Sequence, residues 1–143
     1  MSWTIEGSTV DDELKQKMKD KIDDSSFGAE DLKDYFTLFV QIANSNSDVK
    51  DEIDGFNRKF QFKIDGFENA WMKLDNQTVS MGSGEIADPD ITLEMNARTT
   101  AGIFTGEIDA TSAYMGGDLK ITGALPDAVK FRTITELVRE ALD

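Results

Sequence analysis

"IFTGEIDATSAYMGGDLKITGALPDAVKF", residues 103–131, holds the most specific pattern in the chain. Its first residues end a short helical stretch, "ARTTAGIFTGE" (97–107), which Gly106 closes, because a left-handed C-terminal residue favours glycine. "DLKITG" (118–123) then reads as a strand with Leu119 and Ile121 on one face. Pro126 suits the first turn of a final helix. In that helix Phe131, Ile134, Leu137, Val138 and Ala141 recur at helical spacing, so one face must be covered. Between helix and strand stand Tyr114 and Met115, followed by two glycines, with no catalytic group beside them.

Working outward, "ADPDITLEMN" (87–96) alternates Ile91, Leu93 and Met95 against Thr92, Glu94 and Asn96, with Pro89 at the strand start, where proline is tolerated. Three earlier segments share this period of two. "KFQFKI" (59–64) sets Phe60, Phe62 and Ile64 against Lys59, Gln61 and Lys63. "NAWMKLDN" (69–76) and "TVSMGSGE" (78–85) follow, joined through Asn76 and Gln77, so the three form an antiparallel meander. The sequence thus predicts five strands.

Before Gly55 the period is helical. Val10, Leu14, Met18 and Ile22 make a narrow stripe on a first helix capped by Ser8 or Thr9. Its first turn carries Asp11, Asp12 and Glu13, and lysines follow toward its C-terminus, an order that suits the helix dipole. "AEDLKDYFTLFVQIANSN" (29–46) presents a broad face of Leu32, Tyr35, Phe36, Phe39, Val40 and Ala43, as expected of a buried helix. Ser47 is the expected cap of a short third helix with Val49 and Ile53. The change of period marks two layers of one domain spanning 1–143: an N-terminal helical layer over 1–48, and the sheet, short helix and final helix over 49–143.

Composition removes many functions. The 143 residues include neither Cys nor His, which leaves no thiolate, no imidazole base and no Ser-His-Asp or Cys-His catalysis, and excludes most zinc hydrolases. Twenty-eight acidic against 15 basic residues give a net charge of −13, which opposes nucleic-acid binding because phosphate contacts need a basic face. The start "MSWTIEGSTVDD" lacks the basic and apolar regions of a signal peptide, and no apolar run approaches membrane-spanning length, so a cytoplasmic protein is expected. The sequential carboxylate pairs read as solvated surface. "DNQTVSMGSGE" (75–85) lacks the ligand alternation and central glycine of a calcium loop, and "GSG" (82–84) is too short for a phosphate cradle. No metal, cofactor or catalytic residue is expected. Met72, Met81, Met95 and Met115 fit either a deformable apolar cavity or ordinary core filling.

The segment from residue 87 to 131 resembles the sterol carrier protein 2 superfamily. The matching features are Ala87-Asp88 before Ile91-Thr92-Leu93, Thr105-Gly106 closing the short helix, and Ala113-Tyr114-Met115. Gly117-x-Leu119-Lys120-Ile121, Gly123 and Ala128-x-Lys130 complete them. More loosely the likeness reaches back to Val49; it departs where Asp109-Ala110 replaces the family's usual Asn-Pro. The resemblance implies an α+β fold, a five-stranded, mostly antiparallel sheet with helices on one face and an apolar tunnel between the layers. It also implies a non-catalytic protein that binds or transfers a fatty acid, acyl ester, sterol or phospholipid, with transient membrane contact. The tunnel residues it suggests are Ile91, Leu93, Ile103, Phe104, Tyr114, Met115, Leu119, Ile121, Leu125, Val129 and Phe131. The alternative is an accessory or homodimerisation module of the same fold whose cavity is filled by its own side chains.

Overall fold

The computed structural model describes residues 2–143; Met1 lies outside the described residues. The alternating segments form one mixed sheet of β1 (Thr4–Ile5), β2 (Arg58–Asp65), β3 (Ala70–Asp75), β4 (Thr78–Ser83), β5 (Ile91–Asn96) and β6 (Lys120–Gly123). The strand order is β1-β4-β3-β2-β5-β6. Only β2 and β5 run parallel, with Phe60, Phe62 and Ile64 beside Ile91, Leu93 and Met95; the other neighbours are antiparallel.

The sheet has six strands where five were expected. The extra strand is β1, which pairs Thr4 with Gly82 and Ile5 with Met81. Two residues cannot display an alternating period, so sequence patterning passes over it. Trp3 extends the pairing: its N–H donates to Ser83 Oγ at 2.8 Å, and its carbonyl accepts the Ser83 N–H at 2.9 Å. Beyond β1, the Asn44 side chain takes over the free edge of β4. Its Nδ2 donates to the Val79 carbonyl at 2.8 Å and its Oδ1 accepts the Val79 N–H at 2.7 Å, so a side-chain amide stands in for a peptide group.

The β3–β4 turn runs through Asn76 and Gln77, whose φ angles of 52° and 57° are those of a tight hairpin turn built without glycine.

Six α-helices cover one face: α1 (Asp12–Asp23), α2 (Leu32–Ala43), α3 (Ser47–Glu52), α4 (Ala97–Thr105), α5 (Ala110–Gly116) and α6 (Leu125–Glu140), with a 3-10 turn at Ala29–Asp31 leading into α2. Two caps differ from expectation by a residue or more. Asp11 Oδ1 accepts the Leu14 N–H at 3.1 Å, and Asn46 Oδ1 accepts the Val49 N–H at 3.1 Å. Each stands three residues before the amide it serves, the register in which a short side chain reaches it. Of the expected stripe only Met18 is fully buried; Leu14 and Ile22 pack from the margin of α1, and Val10, also partly buried, lies before the helix begins.

Between the layers lies an aromatic cluster. The Phe104 ring meets Phe36, Phe39, Phe62 and Phe131 at centroid distances of 4.9, 5.4, 5.7 and 5.4 Å, and Phe60 joins through Phe131 at 5.6 Å. Mostly tilted and edge-on, these rings fill the middle of the domain with the protein's own side chains.

The opposite sheet face carries Lys59, Lys63, Lys73 and Lys120, with Gln61 buried among them. Gln61 donates to the carbonyls of Ala70 (3.1 Å) and Gly84 (3.0 Å) and accepts the Ile86 N–H (2.9 Å), pinning the β4–β5 connection over the sheet. Trp71 lies so close over Gly82 that no Cβ fits there.

Candidate functional site

The element that sequence patterning leaves unassigned, "ATSAYMG", is α5. Seven residues are too few to show a helical stripe, and its ends are set by caps. Asp109 Oδ2 accepts the Ser112 N–H at 3.1 Å and the Ser112 hydroxyl at 3.0 Å. Those two bonds, with the Arg132 guanidinium at 3.4 Å, hold the Asp109 carboxyl below its ordinary range. Gly117, at φ 87°, ends the helix. The amides of Asp118 and Leu119 then both donate to the Ala113 carbonyl, at 2.9 and 3.1 Å, which turns the chain into β6.

This geometry holds α5 away from the edge of the sheet, and α6 closes the remaining side. The three elements, with Leu93 of β5, line an apolar cavity of about 190 Å³ that opens to solvent on one side. Seven of the expected tunnel residues line it: Leu93 from β5, Phe131, Leu125 and Val129 from α6, Leu119 from the turn before β6, Ile121 from β6, and Tyr114 from α5. Tyr114, Leu125 and Val129 remain 42, 50 and 61% exposed, so they form a lip at the mouth.

Four expected residues lie elsewhere. Ile91 and Phe104 are buried in the central packing. Met115 is 81% exposed and lines no part of the cavity, because α5 turns it away from the wall that Tyr114 joins. Ile103 faces a neighbouring hollow of about 400 Å³, formed by residues 106–110 and α6.

Sequence reasoning missed Ala110, Thr111, Ala128 and Arg132 in the apolar cavity's wall. Ala128 and Arg132 carried a readable signal, since they lie three residues before Phe131 and three after Val129 on α6 and so share that face. Ala110 and Thr111 depend on α5, which had none. Arg132 forms the polar edge of the mouth, paired with Asp109 and, at 3.1 Å, with Glu136.

Among the described residues there is no group of three or more acidic, His or Cys side chains that could hold a metal ion. No helix among them is long and apolar enough to cross a membrane.

The apolar cavity thus lies under one edge of a helix-covered α+β sheet. Residues 39–136 match the model of the SCP-2 sterol transfer family. The chain belongs to that family.

Among curated proteins, a hydroxysteroid dehydrogenase-like protein 2 of Xenopus tropicalis is 35% identical over 78 residues, covering 52% of this chain but 19% of that protein. Among solved structures, the apo form of sterol carrier protein 2 from Yarrowia lipolytica is 20% identical with a TM-score of 0.58, covering 73% of this chain and 88% of that one. The stereoselective inverting sec-alkylsulfatase Pisa1 from Pseudomonas sp. is 17% identical with a TM-score of 0.60, covering 73% of this chain but 16% of that enzyme. The chain thus corresponds to under a fifth of the dehydrogenase-like relative and of the sulfatase, and to most of the yeast carrier.

Proposed function

We propose that this protein binds a lipid without chemistry and passes it between environments, holding the apolar chain in the cavity between α5, β6 and α6. The observation that carries this reading is the cavity wall itself: Leu93, Leu119, Ile121 and Phe131 meet around open space, and the apolar lip of Tyr114, Leu125 and Val129 leads into it. An apolar cavity of about 150 Å³ can stay dry and take a benzene-sized guest, so 190 Å³ suits a ring or several methylenes. Each methylene leaving water contributes about 0.8 kcal/mol, set against the cost of immobilising the chain. The lip covers more of the chain by contact and supplies a surface for transient meeting with a membrane. The acidity and the lack of cysteine suit a cytoplasmic setting.

Solvent extraction and native mass spectrometry of freshly purified protein should reveal co-purified lipid. Ile121→Trp places a larger side chain in the cavity from an accessible edge strand. Displacement of a fluorescent fatty-acid probe should weaken by about tenfold, while the denaturation midpoint changes little, because a cavity accepts volume that a filled core refuses. Unchanged probe binding in that variant would remove the cavity from the account.

The second reading is an accessory or dimerisation module whose cavity is filled by its own side chains. It is favoured by the six phenylalanines packed ring to ring between the layers. The absence of co-purified lipid, together with a concentration-dependent dimer, would favour it.

A further inference from the structure

The apolar cavity and the 400 Å³ hollow share two wall residues, Ala110 and Arg132. One side of Arg132 is almost wholly apolar. On the other side, four carboxylates (Glu107, Asp109, Glu136 and Glu140) line the hollow together with Arg132 and Arg139. Arg132 is therefore the boundary between a chain compartment and a charged compartment.

We propose that the hollow is the head-group compartment of the same ligand and that it selects a zwitterionic head, a phosphate joined to an ammonium, over a bare carboxylate. This rests on the lipid-binding reading above and names its substrate class. A fatty-acid carboxylate would enter surroundings with more negative than positive groups. There Arg132 is already paired with Asp109 and Glu136, and Arg139 with Asp143 at 3.5 Å. A zwitterion answers both signs. Its phosphate takes the Arg132 guanidinium, a planar donor suited to phosphate oxygens, from Glu136, and its ammonium takes the place of that guanidinium beside Glu136. The exchange leaves no ion without a partner. It needs no large movement either, because Arg132 is 47% exposed and held by an ion pair within its own helix.

The test titrates the protein with decylphosphocholine, decanoate and decan-1-ol, each below its aggregation concentration. Decylphosphocholine should bind about tenfold tighter than decanoate. Glu136→Gln, a change outside the apolar cavity's wall, should weaken decylphosphocholine by about fivefold and leave decan-1-ol within about twofold, since the neutral alcohol reports the chain compartment alone. Arg132→Gln should weaken decylphosphocholine about fivefold more than it weakens decan-1-ol. If the parent binds decylphosphocholine no better than decanoate, the head-group inference falls and the chain cavity stands. If Arg132→Gln weakens all three amphiphiles alike, Arg132 only shapes the wall, which also overturns the inference. If no amphiphile binds, the lipid reading and this inference fall together.

Discussion

At the scale of single residues the protein separates groups that hold the core from groups that stay adaptable. Phe104, at the centre of the aromatic cluster, is fully buried, whereas Val129 on the cavity lip is 61% exposed, and both had looked alike as tunnel residues. Spacing marks a side chain as apolar and inward. It does not tell whether another ring or a void meets it, because that depends on partners far along the chain. Tyr35 is the odd member of the core: its ring packs edge-on to Phe27 at 5.6 Å, and its buried hydroxyl has no hydrogen-bond partner among the described residues. Burial pushes its pKa well above the ordinary tyrosine value, against a smaller opposing effect of Arg139. The folded state keeps this proton at a pH where the unfolded chain gives it up. Stability is thus independent of this group below about pH 10 and falls as pH rises toward the raised folded value. Tyr35→Phe should flatten the fall in the urea midpoint between about pH 9 and about pH 11. At neutral pH it should be neutral, or stabilising by up to about 1 kcal/mol, since it removes an unsatisfied buried hydroxyl. A marked loss of neutral-pH stability would mean the hydroxyl has a partner.

At the scale of elements, what was legible in the sequence followed length. The strands β2 to β5 and the helix α2 repeat their period often enough to be read, while the Leu119–Ile121 alternation marked β6, and Pro126 with the helical recurrence from Phe131 to Ala141 marked α6. The two-residue β1 and seven-residue α5 are defined by caps and edge pairing, which leave no periodic trace. The candidate site was legible to the same extent. Its walls from β5, β6 and α6 were readable, and its wall from α5 was not, beyond Tyr114. The stripe expected on α1 overstates contact, since one of the four positions, Met18, carries the burial and Val10 lies before the helix. Met18→Ala should cost roughly 2–5 kcal/mol in chemical denaturation, and Leu14→Ala clearly less. Equal losses at the two positions would show that α1 is held along its whole stripe.

At the scale of the whole molecule, the net charge of −13 should govern how it meets membranes. Repulsion should make lipid transfer to anionic vesicles slow and accelerated by salt, as screening shortens to about 8 Å near physiological ionic strength, while transfer to neutral vesicles changes little. Fast anionic transfer that falls with salt would instead implicate a local cation at the mouth, Arg132. The central claim, that an apolar chain enters between α5, β6 and α6, is tested most directly by nuclear magnetic resonance with methyl-labelled protein and a lysolipid spin-labelled on its acyl chain. The account predicts strong broadening of the Leu93, Leu119, Ile121 and Val129 methyls, and none at Ile42 and Val79, where α2 meets β4 through Asn44. Broadening centred on α2 and β4, or no broadening at saturating lysolipid, would contradict it.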